Sequence, residues 1–149
     1  METIKLDDGY KEYAINGDEN RILRINPTDI TIIPKMEASL GKLRKELEEI
    51  EGIKILPTGN ALEDGKNSAE VVRRVNKAMR DNFDEIFYPG AADIVFGAQS
   101  PLALSNGKTI YENFMESFIK TIKPVIESEA KKREKHISKY KDEYDRFTA

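Results

Sequence analysis

The chain contains no cysteine, and only one histidine among its 149 residues. The lack of cysteine excludes disulfide bonds, thiolate chemistry and zinc sites built on thiolates. The single histidine, His136, lies in the most charged stretch of the chain, where we predict a solvated surface residue rather than a catalytic base. No pair of carboxylates stands out from the many charged side chains. We therefore predict a protein that is not an enzyme and has no catalytic, cofactor or metal site.

Long hydrophobic runs are also missing. The longest uninterrupted apolar run is three residues, far below the length of a membrane-spanning helix. The first ten residues, METIKLDDGY, lack the apolar core of a signal peptide, so we expect a cytoplasmic protein with no membrane partner. Basic residues do not cluster, since 24 Lys and Arg are interspersed with 27 Asp and Glu. This charge balance makes nucleic acid an unlikely partner.

The length and patterning indicate one domain over residues 1–149 in the α+β class, mostly α. We predict a small N-terminal antiparallel β-meander followed by three or four helices, with a long C-terminal helix. Residues 1–26 form the small sheet, 27–126 the helical core and 127–149 a charged helical extension.

The predicted meander rests on alternating apolar residues and two turn signals. Asp8-Gly9 and Asn16-Gly17 both tolerate the positive φ that tight turns require. Two or three short strands are marginally stable alone, so we expect them to pack against a helix. The alternating apolar residues are Ile4 and Leu6, then Tyr13 and Ile15, followed by a third strand over Ile22–Ile25.

The first helix is predicted to begin at Asn26-Pro27-Thr28-Asp29, which offers a capping residue, a proline and an early acid. Pro34 then interrupts, so that either residues 28–33 form a separate turn or the helix kinks. Gly52 is suited to end the helix. Its apolar residues step by 3 and 4 in a narrow stripe, which favours core packing over an exposed helix seam: Ile33, Met36, Leu40, Leu43, Leu47 and Ile50.

Residues 53–67 are rich in turn formers, and we expect a mobile loop there. A second helix is predicted to start near Asn67 or Ser68 and to end at Tyr88-Pro89-Gly90. Ala91–Phe96 then form a short helix with Gly97 as the residue that follows it, and Gln99–Lys108 form a turn-rich loop.

A last helix is predicted to begin near Thr109, which forms a capping box with Glu112, and Pro124 is expected to bend it near Lys120. We expect Phe83 and Phe118 to be buried where helices pack. The apolar face of the last helix comprises Ile110, Phe114, Phe118, Ile122, Val125 and Ile126.

The segment from Glu127 onwards is rich in Lys and Glu, and its apolar residues are sparse. Ile137, Tyr140, Tyr144 and Phe147 step by 3, 4 and 3; we call these four residues the C-terminal stripe. Too little apolar chain remains to cover it, so we expect a second copy or another protein to bind there. The predicted protein-binding residues are Met36, Leu40, Leu43, Ile137, Tyr140 and Tyr144.

The order of segments resembles the tail assembly chaperones of long-tailed phages, specifically small prophage-encoded proteins. The resemblance lies in a meander leading into Ile25-Asn26-Pro27-Thr28-Asp29, a charged helix, Asn82–Phe87, Ala92–Gly97 and a closing helix over Ile110–Tyr140. It implies a non-enzymatic protein of the bacterial host cytoplasm that binds the tape measure protein, self-associates as a homo-oligomer and leaves before the virion matures. The alternatives are a structural tail component that is retained in the virion, and an enzyme or small-ligand protein with an unrecognised site.

Overall fold

The computed structural model describes residues 1–51 and 61–148, with the side chains at 40, 43, 44, 46–51 and 61–68 outside the description. These residues form an α+β fold that is mostly α, as predicted. Along the chain the elements are β1 (Lys11–Ile15), β2 (Asp18–Ile25), α1 (Ile32–Glu51), α2 (Ala61–Ile86), α3 (Ala91–Phe96), β3 (Leu104–Ser105), β4 (Lys108–Thr109) and α4 (Ile110–Thr148).

An antiparallel hairpin of β1 and β2 opens the fold. Its turn at Asn16-Gly17 has φ of 53° and 73°, which confirms the predicted turn. The predicted strand at Ile4 and Leu6 is wrong, because residues 1–10 form no strand and those side chains are 93% and 78% exposed. Instead of folding back along β1, this segment runs past the end of β2, where the Asp8 carbonyl accepts a hydrogen bond from the Asn26 side chain at 3.0 Å.

The helix predicted to begin at Asn26 begins at Ile32 instead. The Asn26 side chain accepts a hydrogen bond from the Thr28 N–H at 2.9 Å, and the Asp29 side chain accepts one from the Thr31 N–H at 3.0 Å, so that two successive side-chain turns stand where the first helical turn was predicted. Residues 28–31 therefore lie outside α1, and the separate turn is the correct alternative. Pro34 falls in the first turn of α1, where backbone N–H groups have no partner inside the helix, so it is tolerated there.

Helix α2 is longer than predicted, since it begins at Ala61 rather than near Asn67. The prediction of a mobile loop is therefore wrong for residues 61–67; its remainder, 53–60, lies outside the described residues, as does Gly52. Gly65 inside a helix costs about 1 kcal/mol relative to alanine. A helix of 26 residues tolerates this cost, because its many other residues stabilise it. The local sequence around Gly65 does not reveal that the helix extends so far.

The core lies where α2, α3 and α4 meet the hairpin, and Phe83 is at its centre. The Phe83 ring is fully buried, and its centroid lies 4.7 Å from Phe87, 4.9 Å from Phe96 and 5.2 Å from Phe114. Phe83 is thus buried as predicted. Phe118 is only partly buried, packed edge-on against Phe87 with centroids 5.3 Å apart. It closes the rim of the core, because α4 lies across the cluster rather than inside it.

The segment between α3 and α4 contains a structure that the sequence analysis described only as a turn-rich loop. Strands β3 and β4 pair as a minimal hairpin around Asn106-Gly107, whose φ values are 55° and 78°. The predicted capping box follows, since the Glu112 N–H donates to Thr109 Oγ1 at 3.1 Å and the two side chains bond at 3.0 Å. Helix α4 then runs without a break through Pro124.

Arg80 of α2 ties the end of α3 to the core. Its guanidinium donates to Asp93 Oδ1 at 2.8 Å, to the Gln99 carbonyl at 2.8 Å and to the Gly97 carbonyl, and its side chain is only 18% exposed. We expect Arg80→Ala to lower the free energy of unfolding by about 1.5–3 kcal/mol, because two backbone carbonyls and a carboxylate lose a largely covered charged donor. Urea denaturation measures this change. Arg73→Ala, an exposed change on the same helix, is the control, and equal effects of the two variants would contradict the assignment.

Candidate protein-binding surface

The last part of α4 extends beyond the rest of the fold. The helix has 39 residues, a length of about 58 Å at 1.5 Å per residue. Val125 is half-buried, and every residue from 126 to 148 is exposed. Tertiary packing therefore ends near Val125, and the remaining helix of roughly 35 Å is supported by its own hydrogen bonds and by side-chain pairs such as Lys132–Glu129 at 3.5 Å.

The C-terminal stripe lies on this protruding part of α4. Ile137, Tyr140, Tyr144 and Phe147 are 50%, 62%, 68% and 94% exposed. Residues three and four apart share one face of a helix, so these side chains form a continuous apolar strip. The predicted binding residues Ile137, Tyr140 and Tyr144 are thus exposed and adjacent. Exposed apolar strips of this kind are found at protein–protein interfaces, so the C-terminal stripe is the candidate binding surface.

His136 borders the C-terminal stripe. It is exposed, as predicted for a surface residue, and its ring lies edge-on to Tyr140 with centroids 4.8 Å apart. Within the described residues, neither a carboxylate nor a backbone group bonds to His136 in the way that orients a general base.

The C-terminal stripe continues toward the core in a heptad pattern that the sequence analysis missed. Ile119 and Ile126 are 56% and 43% exposed, and both lie in the same seven-residue series as Tyr140 and Phe147. Arg133 occupies the remaining position of that series. Ile126 is predicted on the core face of α4, and it lies elsewhere because residues 118 to 126 carry apolar side chains on two adjacent faces. The seven-residue spacing is the sequence signal that distinguishes the exposed face of α4 from its core face.

The predicted binding residues of α1 have a different environment. Met36 is partly buried and packs against the core, so at this residue the α1 stripe is core packing, the reading that the sequence favoured. Packing against the core removes Met36 from the exposed binding surface. The side chains of Leu40 and Leu43 lie outside the described residues. Among the contacts of the described residues, none joins Met36 to the C-terminal stripe.

A groove of about 610 Å³ lies between the β1–β2 hairpin and α4. Its lining includes Tyr13, whose hydroxyl is buried without a hydrogen-bond partner, and burial raises the pKa of that group. The charged residues that line the groove are Glu12 and Arg21, and Arg21 is engaged with the backbone carbonyls of Ile94, at 2.8 Å, and Val95. The lining thus offers no converging acid and base of the kind that an enzyme site uses.

The half-buried Tyr111 is expected to make the stability of the protein depend on pH in the alkaline range. Burial raises the pKa of Tyr111, whose hydroxyl donates to Asn82 Oδ1 at 3.4 Å, above the usual value of 10.0. As the pH rises through that value the unfolded chain releases its proton before the folded protein does, so the free energy of unfolding falls. We expect the urea midpoint of the parent chain to drop between pH 9 and 11, and that of Tyr111→Phe to drop by a smaller amount. Tyr144→Phe, an exposed change, should leave the drop unaltered, and a Tyr111→Phe profile identical to the parent's would contradict this assignment.

Two further findings concern the described part of the chain. In residues 1–51 and 61–148, no group of three histidine, aspartate or glutamate side chains is arranged to hold a metal ion. No helix within those ranges combines the length and apolarity needed to cross a bilayer.

No protein-family model, curated protein or solved structure matches this chain.

Proposed function

We propose that this protein is a non-enzymatic assembly chaperone that captures an apolar helix of another protein on the exposed face of α4. The observation that carries the proposal is the C-terminal stripe, which is exposed along a helix extending about 35 Å past the core. The role proposed from the resemblance is that of a phage tail assembly chaperone. Its partner is the tape measure protein, and it acts in the bacterial host cytoplasm.

The chemistry of the stripe fits a helical partner. Apolar residues spaced by 3 and 4 present a strip two residues wide per heptad, which matches the seam between two helices better than a deep pocket. Tyr140 and Tyr144 supply large contact areas while their hydroxyl groups remain hydrated in the free protein. Lysine and glutamate beside the stripe keep the free helix in solution.

A long helical rod suits such a surface for a further reason. A strip of four apolar residues offers one modest contact, and a rod with repeated apolar faces offers many equivalent contacts to several chaperone copies. Weak contacts of this kind cover the rod during assembly and dissociate when tail polymerisation buries it.

The test replaces the two tyrosines together, as Tyr140→Ser with Tyr144→Ser, and measures capture of tape measure fragments in a pull-down. We expect binding to weaken at least tenfold, about 1.4 kcal/mol, because aromatic residues dominate interface energetics. The circular dichroism melt should stay unchanged, since both side chains are exposed. The matched control, Lys139→Ser with Asp142→Ser, alters the same helix outside the stripe and should bind like the parent chain.

Three outcomes contradict the proposal. If the tyrosine variant folds and binds with unchanged affinity, the C-terminal stripe is not the binding face. If it unfolds, the tyrosines belong to the core. If mass spectrometry of purified virions finds the protein at a fixed copy number, it is a structural tail component rather than a chaperone.

A further inference from the structure

We propose that the C-terminal parts of α4 from two copies of this chain pair antiparallel along residues 130–147, and that a second copy covers the C-terminal stripe when no other partner does. This inference is independent of the tape measure assignment, since it uses only the exposed residues of α4. It specifies the orientation of the two helices and their register. Both follow from the side chains that occupy the partner-facing positions of the heptad repeat.

The apolar layers of such a pair complement each other in size. When Ile137 of one copy faces Tyr140 of the second copy, the same register sets Ala130 against Phe147. The smallest stripe-facing side chain then meets the most exposed aromatic ring, which is 94% exposed in the single chain. Small against large is the arrangement that lets helices pack closely without a void.

Arg133 is the residue of this series that looks least suited to a helix seam. In the same antiparallel register it faces Tyr144 of the second copy. A guanidinium over a tyrosine ring gains a cation–π interaction, and the aliphatic part of the arginine covers apolar surface. The same contact forms at both ends of the pair, because Arg133 of each copy faces Tyr144 of the other.

The flanking charges select this register. It places Glu134 of each copy beside Lys141 of the other and His136 beside Glu143, so that the pair carries two opposite-charge contacts between Glu134 and Lys141. A shift of one heptad in one direction sets Glu134 of one copy beside Glu134 of the other, and Glu129 beside Glu143. The opposite shift sets Lys141 beside Lys141 and Glu143 beside Glu143. Like charges in contact destabilise both shifted pairings.

The parallel orientation is disfavoured on two independent counts. In a parallel pair, Arg133 would face Arg133 in the seam between the helices. The flanking positions would also bring Glu129 of each copy beside Glu134 of the other. The antiparallel pair avoids both contacts. Unfavourable contacts in the competing arrangement are one way in which coiled coils fix the orientation of their helices.

The pair is short, which makes it reversible. Residues 130–147 span about 27 Å of helix, and an interface of that length falls at or below the lower limit of about 1,200 Å² for stable complexes. Such a dimer is expected to form at high concentration and to exchange quickly. A second copy thus protects the aromatic residues from non-specific contacts without blocking a partner that binds more tightly.

Cysteine cross-linking tests the orientation, because the chain has no cysteine of its own. Full-length Ala130→Cys and Phe147→Cys are purified separately and oxidised alone and as an equal mixture. We expect a disulfide-linked dimer in the mixture and little in either variant alone, since each residue lies about 26 Å from the same residue of the other copy in the antiparallel pair. The control is Ser138→Cys, which faces away from the seam, mixed with Phe147→Cys. The proposal fails if either seam variant alone cross-links as well as the mixture, or if the mixture cross-links no better than the control.

Charge reversal tests the register in sedimentation equilibrium of the full chain. Glu134→Lys and Lys141→Glu each turn the two opposite-charge contacts into like-charge contacts, and we expect each to raise the dimer dissociation constant about tenfold. The double variant should restore the parent value, as should mixing the two single variants. Lys139→Glu, an exposed reversal outside the seam, should have little effect.

A double variant that dimerises no better than the single variants overturns the register, and a parent chain that stays monomeric at millimolar concentration overturns the proposal as a whole. Neither experiment contains a tape measure fragment. Failure of self-pairing is therefore distinguishable from failure of helix capture, which the pull-down measures.

Discussion

Replacing Phe83 with alanine is expected to destabilise the protein by about 3–5 kcal/mol, the range for phenylalanine removed from a packed core. Phe83 is fully buried, and its ring contacts Phe96 of α3, Phe114 of α4 and Phe87, which follows α2, so no single neighbour is free to fill the space. For a domain of this size the melting temperature should fall by roughly 6–20 °C.

Thermal unfolding followed by circular dichroism measures this loss. The matched control is Phe147→Ala, which removes the same side chain from a position that is 94% exposed and should leave the melting temperature within about 2 °C. Equal effects of the two substitutions, or an unchanged melting temperature for Phe83→Ala, would contradict the described core.

Removing the Asp84 carboxylate is expected to cost about 2–4 kcal/mol, because Asp84 caps α3 from outside that helix. Its two oxygens accept hydrogen bonds from the backbone N–H of Ala92 at 2.7 Å and of Gly90 at 3.2 Å. The Gly90 N–H immediately precedes α3, and the Ala92 N–H lies in its first turn, where Ala91 and Ala92 are buried, so that the Ala92 N–H loses its acceptor in a place shielded from water.

Urea denaturation of Asp84→Ala measures this effect, and Asp84→Asn should recover part of it through its remaining carbonyl acceptor. Glu85→Ala is the control, because it loses only an exposed ion pair with Lys42 at 3.3 Å, worth at most about 1 kcal/mol. A loss for Asp84→Ala no larger than for Glu85→Ala would show that the cap is unimportant.

Elements with local signals were predictable from the sequence. The turn at Asn16-Gly17, the helix break at Tyr88-Pro89-Gly90, the short helix α3 and the capping box at Thr109 were each specified by residues close together in the chain, and the structure confirms them. The α+β class and the long C-terminal helix followed from the same patterns. The exposure of the C-terminal stripe was predicted from a count of apolar residues, since too few were left to cover it.

Features that depend on distant contacts were not predictable. Nothing local distinguishes Asp84 or Arg80 from the other charged residues of α2, yet Asp84 binds the start of α3 and Arg80 binds α3 and the segment that follows it. The alternation of Ile4 and Leu6 is a good strand pattern, but pairing also requires a route back along β1 that the contact between Asp8 and Asn26 prevents.

The residues that carry the family resemblance prove to be mostly structural. In the segment Asn82–Phe87, Phe83, Ile86 and Phe87 fill the core and Asp84 caps α3. Asn82 is buried and bonded to Ser39 Oγ at 2.6 Å. Such a pattern specifies a fold, whereas the proposed binding surface lies on α4 beyond it.

Hydrogen exchange of the backbone amides, measured with and without a tape measure fragment, tests the central claim most directly. If the C-terminal stripe captures a helix, amides within residues 127–148 should exchange more slowly in the complex while those of the β1–β2 hairpin stay unchanged. Unchanged exchange over 127–148, with new protection around the groove between the hairpin and α4, would place the binding site elsewhere and contradict the account.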